Sequence, residues 1–145
     1  MIAGRKYFII CVLTFIPIAS IGQFKYPHRY FDPRVYESER KVFCMDQSED
    51  GSMYIGTGGS LLKYDGERWE EHFVPGKKVI YWLKVDDTSG RIYIGSSGEF
   101  GYFDAAFRYV SFSDMLEEDT ADFGNIWEVD LTSHGVYFRS SKYIF

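Results

Sequence analysis

Along the chain, short apolar runs alternate with polar turns that carry glycine. Val42 to Asp46 predicts a strand, Ser48-Glu49-Asp50-Gly51 a turn, and Ser52 to Gly56 a second strand. Leu61 to Tyr64 and Arg68 to Val74 predict two more strands around Asp65-Gly66, a dipeptide that favours the type I′ turn of a two-residue hairpin. The second strand, Met53-Tyr54-Ile55, has later counterparts in Ile92-Tyr93-Ile94 and Val136-Tyr137-Phe138. All three are apolar on both faces, as expected for strands with packing on each side. The fourth strand, Glu67-Arg68-Trp69-Glu70-Glu71-His72-Phe73, is heavily charged, which suits an outer strand whose free edge must not recruit other chains.

The same unit returns. Ile55 and Ile94 are separated by 39 residues, and the step from Tyr93 to Tyr137 is 44. At an offset of 39, Gly51, Gly56 and Gly59 fall on Gly90, Gly95 and Gly98, and Tyr64-Asp65 falls on Phe103-Asp104. The glycines are expected at tight turns that need positive φ. A period of roughly 40 to 50 residues belongs to four-stranded propeller blades. The fold expected is therefore all-β, built of four-stranded antiparallel β-propeller blades, and these residues form an incomplete N-terminal part of a propeller. Blade 1 is expected over 41–74, blade 2 over 79–112, an acidic inter-blade loop over 113–125 and an incomplete blade 3 over 126–145, which stops inside its third strand.

The N-terminus has the parts of a secretory signal over 1–22: Arg5 and Lys6, an apolar run from Tyr7 to Ile18, and small residues in Ser20-Ile21-Gly22. Cleavage would leave Gln23 first. The competing reading is an uncleaved anchor, against which stand Pro17 and a run shorter than the roughly 20 residues a spanning helix needs. Residues 23–40, rich in aromatics and holding Pro27 and Pro33, predict an extended segment. Removal of the signal would leave Cys44 as the only cysteine, read as a small buried apolar residue.

The chain carries 16 basic and 21 acidic residues, a net charge of −5, and loses two more positive charges with the signal. Such a surface repels phosphate backbones, so no nucleic-acid partner is expected for this segment.

Candidate chemistry is sparse. Asp46-Gln47-Ser48-Glu49-Asp50-Gly51 resembles the first half of a calcium loop, but its twelfth position is Thr57, so an acidic hairpin turn is the better reading. Gly56-Thr57-Gly58-Gly59-Ser60 lacks the lysine of a phosphate loop. His28, His72 and His134 lie far apart, Gly95-Ser96-Ser97-Gly98 is no nucleophile elbow, and Ser113 is expected to cap a single helical turn. No catalytic residue, metal site or cofactor is expected.

The stretch Val42 to Thr57, followed by Leu61-Leu62-Lys63-Tyr64-Asp65-Gly66, resembles the two-component-regulator propeller repeat. Gly98-Glu99-Phe100-Gly101-Tyr102-Phe103, Phe123-Gly124-Asn125-Ile126-Trp127 and His134-Gly135-Val136-Tyr137-Phe138 are similar to the N-terminal part of the triple-tyrosine-motif sensor-regulators of the Bacteroidetes. Ser48 departs from the repeat, which usually has aspartate there; Asp87 keeps it in the second copy. The resemblance implies an extracytoplasmic, periplasmic receptor portion, anchored in the inner membrane in full-length form, with a histidine-kinase or helix-turn-helix output. It also implies a small-molecule or oligosaccharide ligand, further blades of the same protein, and a homodimer of the full-length protein. The alternative is a secreted propeller that binds or cleaves carbohydrate without signalling.

In propellers, the loops between second and third strands and between blades usually form the ligand-binding face. Here these are 57–60, 96–99, 140–142, 74–78 and 113–125. Their candidate ligand-binding residues are Glu99, Arg139 and Lys142, with Trp127 as a stacking surface for a sugar.

Overall fold

The computed structural model describes residues 29–32, 34, 41–116 and 122–145. The expected signal peptide, most of the 23–40 segment and residues 117–121 of the acidic loop lie outside the described residues. The chain divides into two units, Met1–Phe31 and Asp32–Phe145. In the first, the Arg29 guanidinium sits over the Phe31 ring, 5.1 Å from its centroid. The second holds every strand found among the described residues.

The second unit is all-β, as the alternation of apolar runs and turns predicts. Strands β1 (Val42–Gln47), β2 (Met53–Thr57), β3 (Leu61–Tyr64) and β4 (Trp69–His72) form one antiparallel sheet in chain order. A second sheet repeats that order with β5 (Ile80–Asp86), β6 (Arg91–Ser96), β7 (Glu99–Phe103) and β8 (Tyr109–Ser111). The third sheet pairs β9 (Ile126–Thr132) with β10 (Gly135–Ser140). After β10 the chain folds back, and Phe138 and Phe145 exchange backbone hydrogen bonds of 3.0 and 2.9 Å. Meander sheets repeated in this way are propeller blades.

The first strands lie nearest one another, β1 against β5 and β5 against β9. One core cluster draws Tyr54, Leu61 and Val74 together with Ile80, Leu83, Ile92, Ile94 and Phe103; a second joins Tyr93 and Phe100 to Phe123, Ile126, Val129 and Phe138. Each such side chain, fully buried, contributes roughly 1.5–3 kcal/mol through apolar area removed from water. The second strands of the first two sheets are packed on both faces. In β10 only Phe138 and Ser140 are buried, and Tyr137 is exposed, so its expected two-sided packing is met on one side.

Glycine does two different jobs in the repeat. Gly51 and Gly90 close turns with φ of +89° and +67°, as expected. Gly56 and Gly95 do not; they lie inside β2 and β6 without positive φ, and their role is close approach. A Cβ on Gly56 would stand 2.6 Å from Ile80 Cγ2, and one on Gly95 would stand 2.5 Å from Ile126 Cγ2. In each case the missing side chain is the seat for an isoleucine of the next sheet. Gly98 takes φ +61°, whereas Gly59, overlaid on it, has no positive φ.

The third hairpins also depart from expectation. Tyr64 pairs with Trp69 and the Asp65 N–H donates to Arg68 O, so Gly66-Glu67 forms the tip rather than Asp65-Gly66. Only Gly66 has positive φ, +103°, whereas a type I′ turn needs two such residues. Asp65 acts through its side chain instead, accepting from the Glu67 and Arg68 amides at 2.8 and 2.7 Å. These bonds favour the charged form and hold its carboxyl below the usual range. Asp104 accepts in the same way from Ala106 and Arg108. Its hairpin is one residue longer, and the added residue, Phe107, takes φ +56°.

Candidate functional site

Because neighbouring strands run antiparallel, the start of each first strand lies opposite the end of its second: Val42 faces Thr57, Ile80 faces Ser96, and Ile126 faces Ser140. The loops that follow the second strands therefore gather at the same end of the sheets as the starts of the first strands.

A buried hydroxyl builds each of these loops. Thr57 Oγ1 donates to Ser60 O at 2.9 Å and accepts from the Ser60 amide at 3.1 Å. Ser96 Oγ donates to Glu99 O at 2.9 Å. Ser140 Oγ accepts from the Lys142 and Tyr143 amides at 3.1 and 2.9 Å. Local side-chain to backbone bonds of this kind replace the ladder where the strand stops. Further bonds tie the 96–99 loop to the connections beside it. Ser97 Oγ meets Asn125 Oδ1 at 3.0 Å, the Gly98 amide donates to Gly124 O, and Lys78 Nζ donates to Gly98 O.

At this end each first strand shifts register by one residue, between Val42 and Cys44, between Ile80 and Trp82, and opposite the step from Arg139 to Ser140. The residues at the shifts are Phe43, Tyr81 and Trp127. They form a row: Phe43 meets Tyr81 edge-on at 5.6 Å between centroids, and Tyr81 lies 4.7 Å from Trp127 at 38°. Phe43 is 44% and Trp127 41% exposed, so each ring keeps an open surface beside its packed one. Trp127 Nε1 donates to Ser141 Oγ at 3.2 Å, which ties the last ring to the β10 loop.

The four predicted site residues have different fates. Trp127 is the end of the aromatic row. Lys142 reaches back to the inter-blade connection, donating to Asp122 O and Oδ2 at 3.1 Å each. Arg139 lies across β10 and β9 from Glu128, with Nε 2.6 Å from Oε2. Glu99 stands apart from these three. It is buried at the start of β7, accepts from Ser111 Oγ at 2.7 Å and Tyr109 OH at 3.4 Å, and pairs with Lys78 at 3.6 Å. Burial first, and then the Glu99 charge, push the Tyr109 hydroxyl well above its ordinary value, so Tyr109 remains a donor.

Phe43 and Tyr81 escape the sequence overlay because Phe43 at the 39-residue offset falls on Trp82. The first strands are offset by 38, since the turn after β5 is one residue shorter than the turn after β1. A signal existed in the aromatic that precedes Cys44, Trp82 and Glu128. The row offers flat apolar faces with the Ser141 hydroxyl at its Trp127 end, an arrangement suited to stacking against the apolar face of a ligand.

No protein-family model matches the chain, and no curated protein matches it. Solved structures do. The chain is similar to the extracellular domain of BT4673 from B. thetaiotaomicron, described there as a one-component system, with a TM-score of 0.63 and 18% identity over 79% of this chain and 16% of that one. A second structure, of the extracellular domain of BT4673 described as a hybrid two-component system, matches with a TM-score of 0.55 and 19% identity over 79% of this chain and 14% of that one. The chain thus spans about one sixth of the proteins it matches. At these identities the likeness establishes the fold.

Proposed function

We propose that the described blades belong to the ligand-sensing, extracytoplasmic portion of a signal-transduction receptor whose output domain is a histidine kinase or a helix-turn-helix regulator. The observation that carries this reading is the row Phe43, Tyr81 and Trp127, half-buried at its middle ring and exposed at both ends, built from one repeat position in three successive sheets. Structural likeness to extracellular domains of a bacterial signalling system supports it. The ligand is a small molecule or oligosaccharide that lays an apolar face on the row and meets Lys142 and the exposed Ser141 hydroxyl with its polar edge. Binding, not turnover, is the role of these residues.

The test uses the full-length receptor in its own host with a transcriptional reporter. Trp127→Ala is expected to raise the inducer concentration needed for half response about tenfold, the equivalent of 1.4 kcal/mol. Receptor abundance is expected to stay unchanged. An unaltered dose response overturns the assignment of the row. Hydrolysis of an oligosaccharide by the purified protein, abolished by one Asp, Glu or His substitution in these blades, establishes a secreted carbohydrate-active propeller instead.

A further inference from the structure

Each first strand places two consecutive residues at its register shift, and the three sheets equip that pair differently. The pair is Phe43 and Cys44 in the first sheet, Tyr81 and Trp82 in the second, and Trp127 and Glu128 in the third. The leading residue is aromatic every time and builds the row. The residue after it changes from thiol to indole to carboxylate.

Hydrogen bonding sets the middle pair apart. Phe43 has no polar side-chain atom, and the Cys44 thiol lies 3.8 Å from Ile80 O. Trp127 Nε1 is engaged by Ser141 Oγ, and Glu128 holds Arg139 at 2.6 Å. In the middle sheet neither the Tyr81 hydroxyl nor the Trp82 indole N–H has a hydrogen-bond partner among the described residues. The Tyr81 hydroxyl is not sealed from water, and Trp82 is 40% exposed. This sheet is packed on both sides, β5 lying against β1 and against β9, so the opening belongs to the pair itself. Tyrosine and tryptophan in partly buried places usually find a partner for the polar tip. Two adjacent tips left open beside a stacking row are placed to meet groups from outside.

A cavity of about 190 Å³ opens between β1 and β5, with Phe43 of the row, Trp82, Asp46 and Lys84 among its lining residues. Its charges answer each other. Lys84 Nζ lies 3.4 Å from Asp46 Oδ2, which also accepts from the Val85 amide at 3.0 Å. The volume is below the roughly 300–1,000 Å³ of sites that enclose a drug-sized molecule, so the cavity takes one ring of a longer ligand. Aromatic walls, open hydrogen-bonding tips and matched charges together suit a ring with an apolar face, a hydroxylated edge and no charge of its own.

We propose that Tyr81 and Trp82 are the specificity-determining pair of the ligand site, reading the hydroxyl groups of one neutral sugar ring seated where the row meets this cavity. The proposal rests on the reading of the row as the ligand surface and narrows the ligand to a neutral oligosaccharide. Phe43 and Trp127 supply stacking that many rings would satisfy, and the middle sheet decides which ring is accepted. A tyrosine hydroxyl donates or accepts, whereas an indole N–H only donates, so the ring must present at least one acceptor oxygen at a fixed place. A site built to hydrogen-bond a hydroxyl rejects the analogue that lacks it, because its own polar groups are then left unpaired.

The test uses the full-length receptor in its own host with a transcriptional reporter. The probes are neutral oligosaccharides released from plant, fungal and animal glycans, their uronic-acid and sulfated counterparts, and single-deoxy analogues of the strongest inducer. A neutral member is expected to induce, and loss of one particular hydroxyl from it should raise the half-response concentration of wild type about tenfold. Tyr81→Phe, which removes only an oxygen, should respond to the parent sugar about tenfold more weakly and to the parent and that deoxy analogue alike. Trp82→Phe should do the same for a different hydroxyl. A merely structural role would weaken every response equally and keep the ranking of the sugars. If Trp127→Ala shifts the response while Tyr81→Phe and Trp82→Phe leave it as in wild type, the row stands and the reading pair is overturned. If Trp127→Ala also changes nothing, the row falls and the proposal with it. The proposal is equally overturned if no neutral oligosaccharide induces, or if both conservative variants keep the wild-type ranking of parent and deoxy analogues.

Discussion

Ser111 Oγ donates to Glu99 Oε1 at 2.7 Å, and at the same pair of positions in the preceding sheet Ser60 Oγ donates to Glu71 Oε1 at 2.6 Å. The bond is the same, but the two residue types have changed strands. At the start of the third strand stands serine in one sheet, just before β3, and glutamate in the other, the first residue of β7, with the fourth strand reversed to match.

This exchange predicts a rescue. Glu99→Ser alone leaves the hydroxyls of Ser111 and Tyr109 and the Lys78 ammonium short of an acceptor, and is expected to cost about 1–3 kcal/mol. The double variant Glu99→Ser with Ser111→Glu rebuilds the bond in the orientation of the first sheet and should recover more than half of that loss. Urea denaturation of the single and double variants measures the coupling. A double variant no more stable than Glu99→Ser shows that the two sheets do not share this bond energetically.

The glycine seats predict that Gly95→Ala is destabilising although alanine suits a strand no worse than glycine. Its methyl meets Ile126, and overpacking of this kind costs about 1–3 kcal/mol. Gly95→Ala with Ile126→Ala should be less than additive, since the truncated side chain makes room. Additive losses in thermal or urea melts would mean that the clash is relieved elsewhere.

His72 carries a pH dependence. Its ring lies on Phe107 with centroids 3.8 Å apart and planes at 9°, and Nε2, 3.6 Å from Glu70 Oε2, has no hydrogen-bond partner among the described residues. Burial lowers its pKa below the ordinary value, and the nearby Glu70 carboxylate opposes that shift without overcoming it, while Lys63 adds to it. Because the folded value is the lower one, His72 contributes stability above about pH 6.5, and that contribution is lost as pH falls through the folded value. The urea midpoint of wild type should therefore drop more between pH 7.5 and 5 than that of His72→Phe. Equal drops in both proteins would locate the acid sensitivity elsewhere.

Cys44 is expected to be inert in the folded protein. Its Sγ packs between Gly56 and Ile80 and lies 3.8 Å from Ile80 O, and burial pushes the thiol up to about 12. At pH 8 only about one molecule in ten thousand would carry the thiolate, the form that reacts. Labelling by a disulfide reagent should be slow in buffer and at least a hundredfold faster in denaturing urea. Fast labelling of the native protein would show that the junction opens readily.

Strands and turns were legible in the sequence because alternation and glycine placement act locally. The hairpin tips show where that reading stops. Asp65 and Asp104 overlay at the 39-residue offset, yet the extra residue Phe107 comes after the match and shifts Arg68 onto Arg108, one position further along. Phe107 holds a left-handed conformation that costs a bulky residue free energy, and it does so while packed against His72 of the neighbouring sheet. No local rule places a phenylalanine there; a contact between sheets does. The same holds for Glu99, whose charge and loop position suggested an exposed contact. Ser111 and Tyr109, ten and more residues later, bury it instead.

The unequal sides of each glycine junction impose a direction on assembly. The hollow at Gly56 is complete once β2 is laid down, and the isoleucine that enters it, Ile80, lies later in the chain; Gly95 likewise precedes Ile126. A polypeptide emerging N-terminus first from the ribosome therefore presents each of these two receptacles before the element that fills it, and growth from the first sheet to the third can proceed as a zipper. Reversing the junction, with the isoleucine leading and the glycine following, would leave an apolar ridge exposed throughout the synthesis of every next sheet. The two junctions are oriented the other way, so during synthesis Ile80 and Ile126 each meet a receptacle already made.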